Sequence, residues 1–153
     1  MGLNSRCALL LMASAVLVGC ADSTLTLRAA RAQQNSAIVL AYLDTVYNQH
    51  EVDQAFKRYV HPALREHSDW KSPGLESPRA ALLRRIGEPT APTRIEIEHS
   101  IAQGDLVAVQ SRQVHAPGAA GVAGYSSFDL FRLAHGRIVE HWSVSEVLAG
   151  AAP

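Results

Sequence analysis

An α+β domain is what the sequence predicts, with three helices ahead of a strongly curved, mainly antiparallel sheet. Two features carry that expectation. Apolar residues recur with a helical period as far as about residue 87, and from Thr93 the period falls to two. Breaks at Gly104-Asp105 and His135-Gly136 then divide the second half into strands that can pair as hairpins.

The first helix is expected over Asn35–Gln49, where Val39, Tyr42, Leu43 and Val46 fall on one face. Asn35 or Ser36 can cap its start, and Asn48-Gln49-His50 ends it. A second helix over about Glu51–Val60 carries Val52, Ala55, Phe56 and Tyr59 on one face, and Pro62 stops it. Ser77 caps a third, Pro78 occupies its first position, and Leu82, Leu83 and Ile86 form its stripe before Gly87 and Pro89 close it. In the first strand Ile95, Ile97, His99 and Ile101 alternate with Glu96, Glu98 and Ser100, which makes His99 a core histidine. Leu106–His115 is the second strand and Ala116–Gly124 a Gly-rich loop. Tyr125–Leu133 and Arg137–Glu146 are the third and fourth strands, and residues 149–153 a frayed tail. A bent sheet with helices on its concave side encloses a pocket.

Composition narrows the function classes. The chain has 153 residues, the length of one domain, and zero formal net charge. It therefore lacks the concentrated basic surface that nucleic acid requires. Two cysteines exclude a disulfide-dense scaffold and a thiolate zinc cluster. No H-x-H, H-E-x-x-H, C-x-x-C, Walker A, G-x-G-x-x-G or G-x-S-x-G pattern occurs, so neither a metal nor an organic cofactor is expected. Trp70 reads as packing or rim, and Arg84-Arg85 as a solvated helix face.

The amino terminus reads as an address. Arg6 supplies a positive start, and Cys7 to Val18 is an apolar run of twelve residues, short for a membrane span. Leu17-Val18-Gly19-Cys20 then looks like a bacterial lipobox, with Cys20 as the lipidated residue. Residues 1–19 are thus expected to be a lipoprotein signal, 20–34 a tether and 35–148 the domain. The chain is expected in the bacterial cell envelope, held to a membrane through lipid at Cys20. Ala21 favours the outer membrane facing the periplasm, and Asp22 leaves the inner membrane open.

Four segments resemble the SnoaL-like (polyketide cyclase-like) family of the NTF2-like superfamily. They are Leu40-Ala41-Tyr42-Leu43 through His50; Arg58-Tyr59-Val60-His61-Pro62 with Glu66-His67-Ser68; Gly104-Asp105-Leu106-Val107-Ala108-Val109; and Phe128-Asp129-Leu130-Phe131-Arg132-Leu133 followed by His135 to Trp142. The resemblance spans about residues 35–147. It implies a cone-shaped barrel, three helices against a curved sheet, open at one end to an apolar cavity, and a homodimer through the exposed sheet face. By similarity to the ketosteroid isomerases of that superfamily, Asp129 falls at an oxyanion-hole Asp kept neutral by apolar surroundings. Tyr42 falls at its partner Tyr, and His67 where those enzymes place a general-base Asp.

Strand alternation puts Asp129 on a face with Phe131, and His141 on a face with Ser143. Tyr42 and protonated Asp129 would hold a substrate carbonyl, and His67 or His141 would remove a neighbouring proton. Gln110, Phe131, Trp142 and Ser143 are the candidate ligand contacts. The expected activity is a cofactor-independent lyase, isomerase or cyclase acting on a small apolar carbonyl compound. The alternative is a non-catalytic binding or accessory lipoprotein. Each site residue has a second reading: Tyr42 and His141 as packed core groups, Asp129 as an Arg-paired or backbone-bonded carboxylate, and His67 and Gln110 as solvated. Ser143 stands where SnoaL-like sequences often carry Asp, so cyclase chemistry does not carry over whole.

Overall fold

The computed structural model describes residues 5–68, 77–87, 92–115 and 122–149. Helix α1 spans Ser5–Tyr47, α2 Val52–Tyr59 and α3 Pro78–Gly87. The strands are β1 Val60–Glu66, β2 Pro92–Gln103, β3 Leu106–His115, β4 Val122–Ala134 and β5 Arg137–Ala149. They form one curved, open sheet in the order β1-β5-β4-β3-β2. Neighbours pair antiparallel except β1, which lies parallel to β5.

The core lies between the helices and the concave sheet face. Val39, Leu43 and Val46 of α1 and Val52 and Ala55 of α2 meet Val107, Val109, Phe131, Leu133 and Ile138 of the sheet. Burying each large side chain stabilises the domain by roughly 1.5–3 kcal/mol. Polar contacts set the seat of α1 on the sheet. Asn35 Nδ2 donates to the Gly104 carbonyl at 2.8 Å, and Asn48 Oδ1 accepts from the Ile95 amide at 2.9 Å.

Three elements differ from the sequence expectation. First, α1 does not begin at a cap near Asn35 but continues unbroken through the expected tether. No Gly or Pro lies between Cys20 and Tyr47, and Leu, Arg, Ala and Gln are strong helix formers. Residues 23–31 are exposed, and burial begins at Asn35. Among the described residues no helix is long and apolar enough to cross a membrane.

Second, β1 was not expected. Pro62 stops α2 but sits inside a strand, which an edge position tolerates because no ladder donor is needed there. Third, the alternation in β2 breaks at a bulge. Ile97 pairs with Ser111 but His99 pairs with Gln110, so Glu98 is the extra residue and the phase inverts beyond it. Ile95 is buried, whereas His99 is exposed and Ile101 stands 72% exposed on the outer face. His99 is therefore not a core residue.

Smaller differences concern strand ends. β4 starts at Val122 rather than Tyr125, and β5 runs through Ala149. Trp70, residues 116–121 of the Gly-rich loop, residues 150–153 of the tail and the side chains of Arg84 and Arg85 lie outside what the structure describes.

Candidate acid–base site

Strand register builds the site. On the concave face one cross-strand row runs Val109–Asp129–Ser143 and the next Val107–Phe131–His141. The parallel pairing of β1 sets Glu66 beside His141. Helix α1 lowers Tyr42 onto the same region, its ring edge-on to Phe131 at 6.1 Å and to Phe56 at 6.0 Å.

The His141 imidazole lies between two carboxylates. Nδ1 is 2.7 Å from Glu66 Oε2, and Nε2 is 3.1 Å from Asp129 Oδ1. The ring also stacks on Phe131, centroids 4.6 Å apart and planes 19° from parallel. Glu66 is fixed from its other oxygen, which accepts from the Ser68 amide and hydroxyl. Burial alone would depress the imidazole pKa, but hydrogen bonds to Asp129 and Glu66 and their charge push it up to about 9. Burial would raise the Glu66 carboxyl, and the His141 and Ser68 contacts more than offset it, holding it below the ordinary value. Burial, aided by Tyr47, Glu66 and Asp129, drives the Tyr42 phenol well above its ordinary value.

At neutral pH these shifts describe an imidazolium that donates from both nitrogens, and a phenol that keeps its proton. A doubly protonated ring cannot take a proton from a substrate. Asp129 uses one oxygen on His141, and its Oδ2 accepts no hydrogen bond among the described residues. The free acceptor of the cluster is thus a carboxylate oxygen, not an imidazole nitrogen.

These groups border a crevice with about 60 Å³ of space for the centres of water-sized molecules, room for a compact molecular fragment. Ser127, Ser143, Ser145 and Gln113 make a polar wall on the sheet side; Leu43, Phe56, Leu64, Leu82 and Ile138 make an apolar one.

Of the sequence-derived candidates, Tyr42, Asp129, Phe131, His141 and Ser143 line this crevice. His67, Gln110 and Trp142 do not. Glu66 turns inward, so His67, next along the chain, turns outward. It stacks on Trp142 at 4.5 Å and meets Glu140 at 2.9 Å. Trp142 follows inward His141 and so shares that outer face. Gln110 follows buried Val109 and pairs with Phe128, which is 52% exposed. Asp129 is not enclosed by apolar groups alone, because His141 stands beside it. The residue missed from the sequence is Glu66. Local sequence carried no signal for it, because only the pairing of β1 with β5 brings Glu66 to His141.

The profile of the SnoaL-like domain family matches residues 39–141. Several solved structures share the fold. An epoxide hydrolase from M. tuberculosis, described as LEH-like, superposes with a TM-score of 0.59 at 19% identity, covering 75% of this chain and 84% of that one. A candidate SnoaL-like polyketide cyclase from Jannaschia sp. CCS1 gives 0.57 at 22% identity, with 76% and 88% covered. An NTF2-like protein of unknown function from Burkholderia xenovorans LB400 gives 0.59 at 12% identity, with 80% and 90% covered. No curated protein matches the chain by sequence.

Proposed function

The chain belongs to the SnoaL-like domain family, and on that footing we propose that it is a lyase, isomerase or cyclase acting on a small carbonyl compound by proton transfer. One observation carries the reading: a half-buried His141 held by two carboxylates, with Asp129 and Tyr42 lining the same crevice. The roles differ from those the isomerase resemblance implies. Asp129 Oδ2 takes the proton alpha to the carbonyl. The C–H electron pair moves onto the carbonyl oxygen, and the Tyr42 O–H donates to the enolate that forms. His141 holds the carboxylate in place and offsets its charge, and Glu66 holds His141. The proton then returns to another carbon in an isomerisation. Alternatively the enolate attacks a second carbonyl or expels a beta leaving group. No step calls for an organic cofactor.

Exchange of alpha protons from simple ketones into D2O, followed by proton NMR, tests this. The wild type is expected to accelerate exchange, and Asp129→Asn, similar in shape but no base, to lose roughly 10²–10⁴-fold. Unchanged exchange in that variant would contradict the assignment.

A second reading is a binding module without turnover. The saturation of both His141 nitrogens favours it, since an imidazole bonded on both sides also serves as a rigid floor. Ligand binding with no exchange in the wild type would select it. We further propose that the domain is displayed from a bacterial membrane, the outer one facing the periplasm, through lipid on Cys20. The order of Arg6, the apolar run and Leu17-Val18-Gly19-Cys20 supports that placement. A homodimer through the outer sheet face is supported by exposed Ile101, Phe128 and Val144.

A further inference from the structure

A second depression lies against the crevice, between α2, β1 and the start of α3. It is far larger, about 700 Å³ on the same measure, and shares Phe56, Val60, Leu64 and Pro78 with the crevice as lining. Those four side chains give the two a common apolar wall. Beyond it the groove is cationic. Lys57, His61, Arg79 and Arg137 line it, and among the described residues no carboxylate does. Arg79 is paired with Asp53 at 2.6 Å. Among the described residues Lys57 and Arg137 have no carboxylate partner. Arg137 Nη1 donates to the Lys57 and Val60 carbonyls at 3.0 Å each, so its guanidinium is held in place, with no carboxylate on it among the described residues. Lys57 makes no ion pair among the described residues. His61 Nδ1 accepts from the Ala63 amide at 3.1 Å, which leaves Nε2 as the donor side of the ring.

We propose that this groove binds the anionic head of an amphiphilic substrate, a carboxylate or phosphate monoester on a short apolar chain, whose reacting carbonyl end lies in the crevice. The placement of the far end rests on the proton-transfer reading; binding of the head does not. The sizes support the division, because the crevice admits only a compact fragment and the rest of a larger molecule needs the adjoining space. A fixed guanidinium with a nearby ammonium suits an oxyanion. The shared wall suits a methylene chain. In a chain of zero formal net charge, a groove lined by cations and, among the described residues, by no carboxylate is a local selection of sign.

Calorimetric titration of the full chain with octanoate, octyl phosphate and octanol tests the proposal. One or both anions should bind at least tenfold more tightly than octanol at low salt, with the gap closing as salt rises. Which anion binds better identifies the head group. Lys57→Glu, on an exposed side chain, should weaken anion binding at least tenfold and leave octanol unchanged. Lys57→Gln should fall between, a graded series that misfolding would not give. Octanol binding as tightly as both anions, or anion affinity indifferent to Lys57, overturns the proposal. Heat replaces turnover as the readout, so a failure of the proton-transfer chemistry leaves this result untouched. Asp129→Asn should keep octanoate affinity while losing exchange activity, and a tenfold change of that affinity in either direction would place the head in the crevice and overturn the groove.

Discussion

His141 gains more from its two carboxylates than it loses by burial, and this makes its charge part of the folding energy. Its folded pKa of about 9 lies above the ordinary 6.5. The stabilisation is therefore complete below about pH 6.5 and is lost as pH rises through 9, at most on the order of 3 kcal/mol. Glu66 works with the opposite sign. Its folded pKa is depressed, so its contribution is present above the ordinary carboxylate value and fades as pH falls through the folded one. Thermal melts across pH should show a plateau on the acid side of neutrality and a falling Tm between 6.5 and 9. In His141→Gln the alkaline fall should disappear. Tyr42 offers a cleaner separation of chemistry from packing. Its ring is wedged between Phe56 and Phe131, so Tyr42→Phe keeps those contacts and should change stability by less than about 1 kcal/mol. Ketone exchange should drop roughly 10²–10³-fold, the cost of losing one donor to a developing oxyanion.

Among the elements, β4 depends on one glycine. Gly124 has φ of +147°, and a Cβ there would come within 2.0 Å of the Gln113 carbonyl oxygen on β3. The two backbones meet where Val114 pairs with Gly124, so neither can retreat without breaking the ladder. Gly124→Ala should cost roughly 2–4 kcal/mol by urea unfolding, and a change under 1 kcal/mol would show that the strands can slide apart. The elements also show what the sequence made legible. Helices α2 and α3 and strands β3 to β5 followed local periodicity and turn residues, which act over a few positions. The bulge in β2 did not, because an inserted residue leaves an apolar pattern intact while reversing which half of it faces the core. Edge strand β1 escaped for a similar reason: Val60 and Glu66 are buried with mostly exposed residues between them, no period of two at all. Its parallel partner lies more than seventy residues away along the chain.

Taken as a whole molecule, the site is a product of tertiary pairing, and that limits how much of it a sequence discloses. Asp129 with Phe131 and His141 with Ser143 could be placed on common faces from alternation, and Tyr42 from the helical stripe. The contact between Glu66 and His141 could not, since it exists only through β1 joining the sheet. Beyond the domain, 23–31 form an exposed continuation of α1, and the proposed anchor lies before it at Cys20. Cys20→Ser should abolish the lipid mass increment and release the protein from the membrane fraction, and unchanged partitioning at unchanged mass would refute lipidation. The proton on His141 decides that the base is a carboxylate. Side-chain nitrogen-15 NMR of the full chain reads that proton directly. Two protonated ring nitrogens are expected at pH 7, persisting until a transition near pH 9. A single neutral tautomer at pH 7, titrating at or below the ordinary histidine value, would contradict that expectation.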